Sequence, residues 1–233
     1  MTQPVFLITG ASTGIGAATA RHAVQNGYRV VLAARSVEKL ESLVNELGGH
    51  EQALAVLCDV AEWPDQEALV KKALETFGQL DVVYANAGFT DVTDTSRPSF
   101  LDDKQDVWRS MILTNVYGTA LTVRATLPAL KASRGHLLLT GSVVGRRVVP
   151  GSLYSCTKWA VSAMGEAVRQ ELIGSGVRVT LIEPGIVDTP FYKTERKGAL
   201  AAEDIAQAVL FAVNQPQQVA VNEILVRATD EAF

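Results

Sequence analysis

Histidine, cysteine and long single-character runs are what this chain has least of. Its three histidines (His22, His50 and His136) sit far from one another and from other ligand-type residues, so no histidine-based triad, zinc site or other metal site is expected. Its two cysteines, Cys58 and Cys156, lack metal-type spacing and read as reduced, unpaired thiols of a cytoplasmic protein. There is no basic run and the net charge is −4, which excludes a nucleic-acid surface. No apolar stretch reaches the roughly 18 residues that cross a bilayer, so no membrane is expected. The N-terminal MTQPVFLITG has no basic region ahead of its apolar part, and no signal peptide is expected. Pro/Ser-rich linkers, repeats and low-complexity tracts are also missing, so residues 1–233 read as a single domain.

What is present is a core and a rhythm. Hydrophobic residues make up 48% and charged residues 20%, enough apolar material for a large interior. Short apolar runs recur as VFLIT (5–9), RVVLAA (29–34), ALAVLC (53–58), LDVVYA (80–85), HLLLT (136–140), RVTLIE (178–183) and NEILVR (222–227). Their nearly unbroken apolar character suits strands covered on both faces. Helical patterns fill the gaps at about 13–26, 37–47, 64–77, 104–131, 153–173 and 202–214. Gly27, Gly48 with Gly49, Gly78 and Gly174 stand where those helices should stop. Repeated β-α units of this kind predict an α/β fold, a doubly wound parallel seven-stranded sheet flanked by helices.

The first strand runs into TGASTGIG (9–16). Gly10, Gly14 and Gly16 allow a tight turn, a close approach to a pyrophosphate and close packing of helix on strand. The backbone amides of Ser12, Thr13 and Ile15 and the helix N-terminus then face an anion. The second strand ends in LAARS. Ala33 and Ala34 stand where a carboxylate would bind a ribose 2′-hydroxyl, and Arg35 and Ser36 follow. Nothing there repels a 2′-phosphate, and a guanidinium binds one bidentately, so the expected cofactor is NADP(H) in preference to NAD(H).

In YSCTK (154–158), Tyr154 and Lys158 are four apart and share one helix face. A phenol ionises near ~10, and a fixed ammonium beside it favours the phenolate. By itself the pair fits either a general acid/base with a lowered phenol pKa or an ordinary helix surface.

TGASTGIG, CDV (58–60), ANAG (85–88), NVYG (115–118) with Ser142, and YSCTK followed by EPGIVDTP (183–190) occur in an order that resembles the single-domain branch of the short-chain dehydrogenase/reductase family, over essentially the whole chain. The resemblance implies an oxidoreductase that transfers a hydride between NADP(H) and a small carbonyl or alcohol substrate. It implies Tyr154 as proton donor and acceptor, with Lys158 tuning it and holding the nicotinamide ribose. Ser142 would polarise the substrate oxygen, and Asn115 would hold a water that relays protons to Lys158. Asp59 and Val60 would meet the adenine, Asn86 would stiffen the sheet, and Ala87 and Gly88 would lie along the ribose. Pro184, Gly185, Ile186, Val187 and Thr189 would surround the nicotinamide. Two departures stand out. Ala85 replaces the first of two asparagines common in the family, and the Ser142 to Tyr154 interval is one residue short.

The substrate loops would be 89–104, 143–153 and 191–201. Arg146, Arg147, Lys193, Arg196 and Lys197 are candidates to read a substrate carboxylate, and Val143, Val144 and Val149 to line an apolar wall. The helices at 104–131 and 153–173 resemble those through which family members form homodimers and homotetramers. The alternative reading is an NADP(H)-binding redox-sensing regulatory protein with little turnover, against which the intact set Asn115, Ser142, Tyr154 and Lys158 argues.

Overall fold

The computed structural model describes residues 3–90, 98–192 and 194–231. Seven strands run in chain order as β1 (Val5–Thr9), β2 (Arg29–Ala34), β3 (Ala53–Leu57), β4 (Val82–Ala85), β5 (His136–Thr140), β6 (Arg178–Pro184) and β7 (Glu223–Val226). They form one sheet in the order β3-β2-β1-β4-β5-β6-β7, with every neighbouring pair parallel. The order reverses between β1 and β4, and the strands' carboxyl ends open a crevice at such a switch point.

The helices are α1 (Gly14–Gln25), α2 (Val37–Glu46), α3 (Trp63–Phe77), α4 (Gln105–Ile112), α5 (Thr119–Ser133), α6 (Leu153–Glu171) and α7 (Ala202–Val213). Successive strand residues face opposite sides of a sheet, and the two sides pack separately. Phe6 and Ile8 meet Ala17, Ala20 and Ala23 of α1, Leu40 of α2 and Ile205 and Val209 of α7. Val5 and Leu7 meet Leu69 and Ala73 of α3, Val123 and Leu130 of α5 and Val161 and Val168 of α6. The central strands therefore read as continuous apolar runs because both faces are covered, while β7 and the end of β3 are partly exposed. No helix among the described residues is long and apolar enough to cross a membrane.

One expected helix is divided. The stretch read as 104–131 begins as α4, widens into a π-helical turn at Leu113–Gly118, and resumes as α5. Such turns insert one residue into the helical register and re-aim the side chains they carry. This one carries Asn115, whose carbonyl accepts from the Thr119 hydroxyl at 2.7 Å. The thiols of Cys58 and Cys156 are both free, the first buried and the second exposed.

Candidate active site

A cleft of about 530 Å³ opens over the carboxyl ends of the central strands. Its floor is the turn after β1. Gly10 has φ +65°, and a Cβ there would stand 2.9 Å from the Ala87 Cα. A Cβ on Gly16 would overlap the Gly10 carbonyl. The floor is thus bare backbone, and an elongated phosphate-bearing ligand fits it. Ser12, Thr13, Gly14 and Ile15 line this part of the cleft, and the Thr13 hydroxyl makes no cap bond to α1.

Asn86 braces the floor. Its Nδ2 donates to the Thr9 carbonyl at 3.0 Å, its Oδ1 accepts from the Thr140 hydroxyl at 3.2 Å, and its backbone N–H donates to the Thr9 hydroxyl. One side chain so joins the ends of β1 and β5 from the end of β4. At one end of the cleft, Ala34, exposed Arg35 and Ser36 follow β2, and the Ser36 hydroxyl makes no cap bond to α2. Asp59 and the mostly buried Val60 line the adjoining wall, and Asp59 Oδ1 accepts from the Ala61 N–H at 3.0 Å.

At the other end of the cleft stand Ser142, Tyr154 and Lys158. Ser142 follows β5; its hydroxyl accepts from the Val144 N–H at 3.3 Å, donates to the Pro184 carbonyl at 3.4 Å, and lies on the same cleft wall as the Tyr154 phenol. Despite the shortened interval, both residues line the cleft. Tyr154 opens α6, whose start is capped by the Ser152 hydroxyl accepting from the Ser155 N–H. One turn on, Lys158 is 3% exposed and its Nζ donates to the Thr140 carbonyl at 2.8 Å.

Burial sets the proton affinities here. It lowers the Lys158 ammonium to about 8, because desolvation disfavours the charge. It also pushes the Tyr154 phenol well above its ordinary value, with Tyr192 adding to the rise and the Ser142 hydroxyl opposing it. The expected lowering of the phenol by Lys158 is therefore corrected: burial raises it.

Asn115 does not line the cleft but lies directly behind it. Its Oδ1 accepts from the Phe89 N–H at 2.7 Å, and its Nδ2 donates to the Phe89 carbonyl at 2.9 Å and the Thr157 hydroxyl at 3.1 Å. The Thr157 hydroxyl in turn donates to the Tyr154 carbonyl at 2.8 Å. Asn115 thus ties the strand-β4 loop to the helical turn that carries Tyr154. Gly88 sits between, and a Cβ there would stand 3.7 Å from both Asn115 Oδ1 and Lys158 Nζ.

The EPGIVDTP segment is divided. Pro184 and Thr189 line the cleft, while Gly185, Ile186 and Val187 do not. Val187 is buried in the core, and the Ile186 N–H donates to Glu231 Oε2 at 3.1 Å. Gly16, likewise outside the lining, lies beneath the Gly10 carbonyl.

The expected substrate loops 89–104 and 191–201 supply cleft-wall residues that sequence reasoning did not single out. Phe89, Thr90 and Phe191 line the cleft, and the Phe191 ring centroid lies 5.9 Å from that of Tyr154. Val143, Val144 and Val149, expected there, are not among the described lining residues; Val143 is buried beneath the turn. Arg146 points elsewhere, onto Glu183 and Glu223. Arg196 and Lys197 line a separate groove beside Asp188 and Glu203. Residues 91–97 of the first substrate loop, and Lys193, lie outside the described residues.

Comparison with known proteins agrees with the fold. The family described as short chain dehydrogenase matches residues 4–199. An uncharacterized oxidoreductase of Staphylococcus aureus (strain MW2) is 40% identical over 232 residues, covering 97% of this chain and 98% of its own. An alcohol dehydrogenase from the archaeon Thermococcus sibiricus, solved with 5-hydroxy-NADP, superposes with a TM-score of 0.88 at 34% identity over 98% of both chains. A 3-ketoacyl-(acyl-carrier-protein) reductase from Brucella melitensis, solved with NADH, also gives 0.88, at 26% identity over 98% of both chains.

Proposed function

The chain belongs to the short chain dehydrogenase family, and within it we propose an NADP(H)-dependent oxidoreductase acting on a small carbonyl or alcohol, with Tyr154 as general acid/base. The observation that carries this reading is the meeting of Ser142, Tyr154 and Lys158 at one end of a cleft whose floor is a glycine turn. Gly10, Ser12, Thr13, Gly14 and Ile15 would hold the pyrophosphate, and Gly16 would let α1 approach. The nicotinamide supplies the hydride when bound.

The chain's own residues do the rest. In reduction, the Ser142 hydroxyl donates a hydrogen bond to the substrate carbonyl oxygen and stabilises the charge growing on it. Tyr154, kept protonated by burial, gives its proton to that oxygen, and takes one back in alcohol oxidation. Lys158 keeps a positive charge near the phenol and holds the cofactor ribose. Asn115 fixes the turn beneath Tyr154 and, through the remaining lone pair of its Oδ1, holds the water that resupplies protons toward Lys158. Pro184 and Thr189 would meet the nicotinamide.

Preference for NADP(H) over NAD(H) rests on exposed Arg35 and the uncapped Ser36 at the cleft edge, with no acidic residue at Ala33 or Ala34. We further read the chain as one catalytic domain working in the cytoplasm as a homodimer or homotetramer. Exposed Ile112, Tyr117 and Trp159 on the α4–α5 segment and α6 support a self-association face.

The test is cofactor consumption by purified protein, with NADPH and NADH separately, against ketones, aldehydes and 3-oxo acids. Turnover with NADPH preferred supports the reading. Tight NADPH binding without turnover on any of them would favour a redox-sensing protein instead.

A further inference from the structure

Arg146 leaves the Ser142 turn on the side away from the cleft and meets two carboxylates of the protein itself. Its Nε donates to Glu183 Oε1 at 2.6 Å and its Nη2 to Glu223 Oε1 at 2.5 Å. Glu223, on edge strand β7, is half exposed. Glu183, at the end of β6, is 1% exposed. Burial pushes its carboxyl up, while the Arg146 guanidinium beside it works against that and the nearby Glu223 adds to the rise. A carboxylate this deep is tolerated only when paired and hydrogen-bonded.

The pair touches the site's backbone from two directions. A Cβ on Gly141, the residue before Ser142, would stand 3.1 Å from both Glu183 Cγ and Leu181 Cδ1, so the acid's stem and Leu181 together support that turn. The next residue, Pro184, accepts from the Ser142 hydroxyl at 3.4 Å. On the other side, the Ser162 hydroxyl lies 3.1 Å from the Lys158 carbonyl and 3.4 Å from the Gly145 carbonyl. Gly145 packs so closely on α6 that a Cβ there would stand 2.9 Å from the Lys158 carbonyl oxygen.

We propose that Arg146 and Glu183 form a positioning pair that clamps the 142–147 turn between β6 and α6, holding the Ser142 hydroxyl at the Pro184 carbonyl on the cleft wall it shares with Tyr154, and the turn against Lys158. Arg146 then binds no substrate carboxylate. The clamp is a statement about the fold; its effect on rate rests on the hydride-transfer reading. A slip of about 1 Å at a reacting group costs on the order of a hundredfold in rate.

Glu183→Gln keeps the shape and removes the charge, Arg146→Met removes the donors, and Arg146→Lys is the mild variant. Each is measured for kcat, for NADPH affinity and for amide hydrogen exchange at 143–147. The pair predicts kcat losses of about tenfold or more in Glu183→Gln and Arg146→Met, with NADPH affinity within about twofold. Exchange accelerates at 143–147, and Arg146→Lys recovers part of both effects, since one ammonium reaches one carboxylate but lacks the planar fork. Turnover within about twofold of wild type in both charge-removing variants would overturn the inference. Unchanged exchange at 143–147 in Arg146→Met would overturn it as well. Exchange needs no substrate, so faster exchange in a protein inert from the outset would support the clamp and count against hydride transfer.

Discussion

The Lys158 ammonium stands 5.6 Å from the centroid of the Tyr154 ring and donates to the Thr140 carbonyl at 2.8 Å. It is held to the end of β5 while facing the phenol, so its charge acts across the ring rather than through a proton shared with it. That geometry leaves a protonated phenol near a cation that burial has weakened, and it fixes the sign of the pH dependence.

Reduction needs Tyr154 protonated and Lys158 charged. The phenol is raised and stays protonated through neutrality; the ammonium titrates at about 8. The rate of carbonyl reduction should therefore hold steady between about pH 6 and 7.5 and fall as pH rises through about 8, where the charge is lost. Alcohol oxidation, which needs the phenol as base, should rise over the same interval. A reduction rate that climbs through pH 8–9 would contradict these assignments.

Arg35→Ala should separate the two nicotinamide cofactors. A charge-assisted bond to a 2′-phosphate contributes about 1.5–3 kcal/mol, so NADPH affinity should fall about tenfold or more. NADH, without that phosphate, should change by no more than about twofold. Equal losses by fluorescence titration would show that Arg35 does not distinguish them.

Gly16→Ala adds a methyl group against the Gly10 carbonyl and within 2.9 Å of Asn86 Nδ2. Backbone cannot yield as a side-chain end does, so the turn must shift. The expected cost is about 1–3 kcal/mol of stability, with NADPH binding lost or nearly so. A variant that melts and binds as wild type does would show that the turn adapts.

The central strands and the helices were legible because their apolar pattern answers mainly to burial. VFLIT is buried at every position on β1, and Gly78 closes α3 with φ +79°. The Gly loop, Ser142, Tyr154 and Lys158 were legible because each lies in a short local pattern. The π turn at Leu113–Gly118 was not, since a lone glycine, Gly118, does not by itself mark a π turn and a one-residue register change leaves the apolar pattern nearly intact. The direction of the Tyr154 shift escaped too, because spacing reveals a neighbouring charge but not the burial that raises the phenol. Arg146 read as a free cation because Glu183 and Glu223 reach it only once β6 and β7 are side by side.

His136 gives a prediction about the fold rather than the site. It is 1% exposed, its Nε2 lies 2.7 Å from the Thr180 hydroxyl, and burial lowers its pKa to about 3. Between that value and about 6.5 the unfolded chain binds a proton the folded chain refuses, so stability falls as pH drops through this range. The slope from this residue is up to about 1.4 kcal/mol per pH unit. Urea unfolding at pH 7, 6 and 5 should show a shallower loss in His136→Gln than in wild type. Equal slopes would mean that the imidazole is accommodated charged.

Tyr154→Phe tests the account most directly. It removes one hydroxyl and leaves the ring against Phe191 and the glycine cradle untouched. NADPH consumption by wild type and variant would be followed on a ketone that the wild type reduces, alongside NADPH affinity. The account predicts a rate lower by roughly 10²–10⁴ in the variant, with affinity within about twofold. A variant that keeps its turnover within tenfold would show that some other group moves the proton.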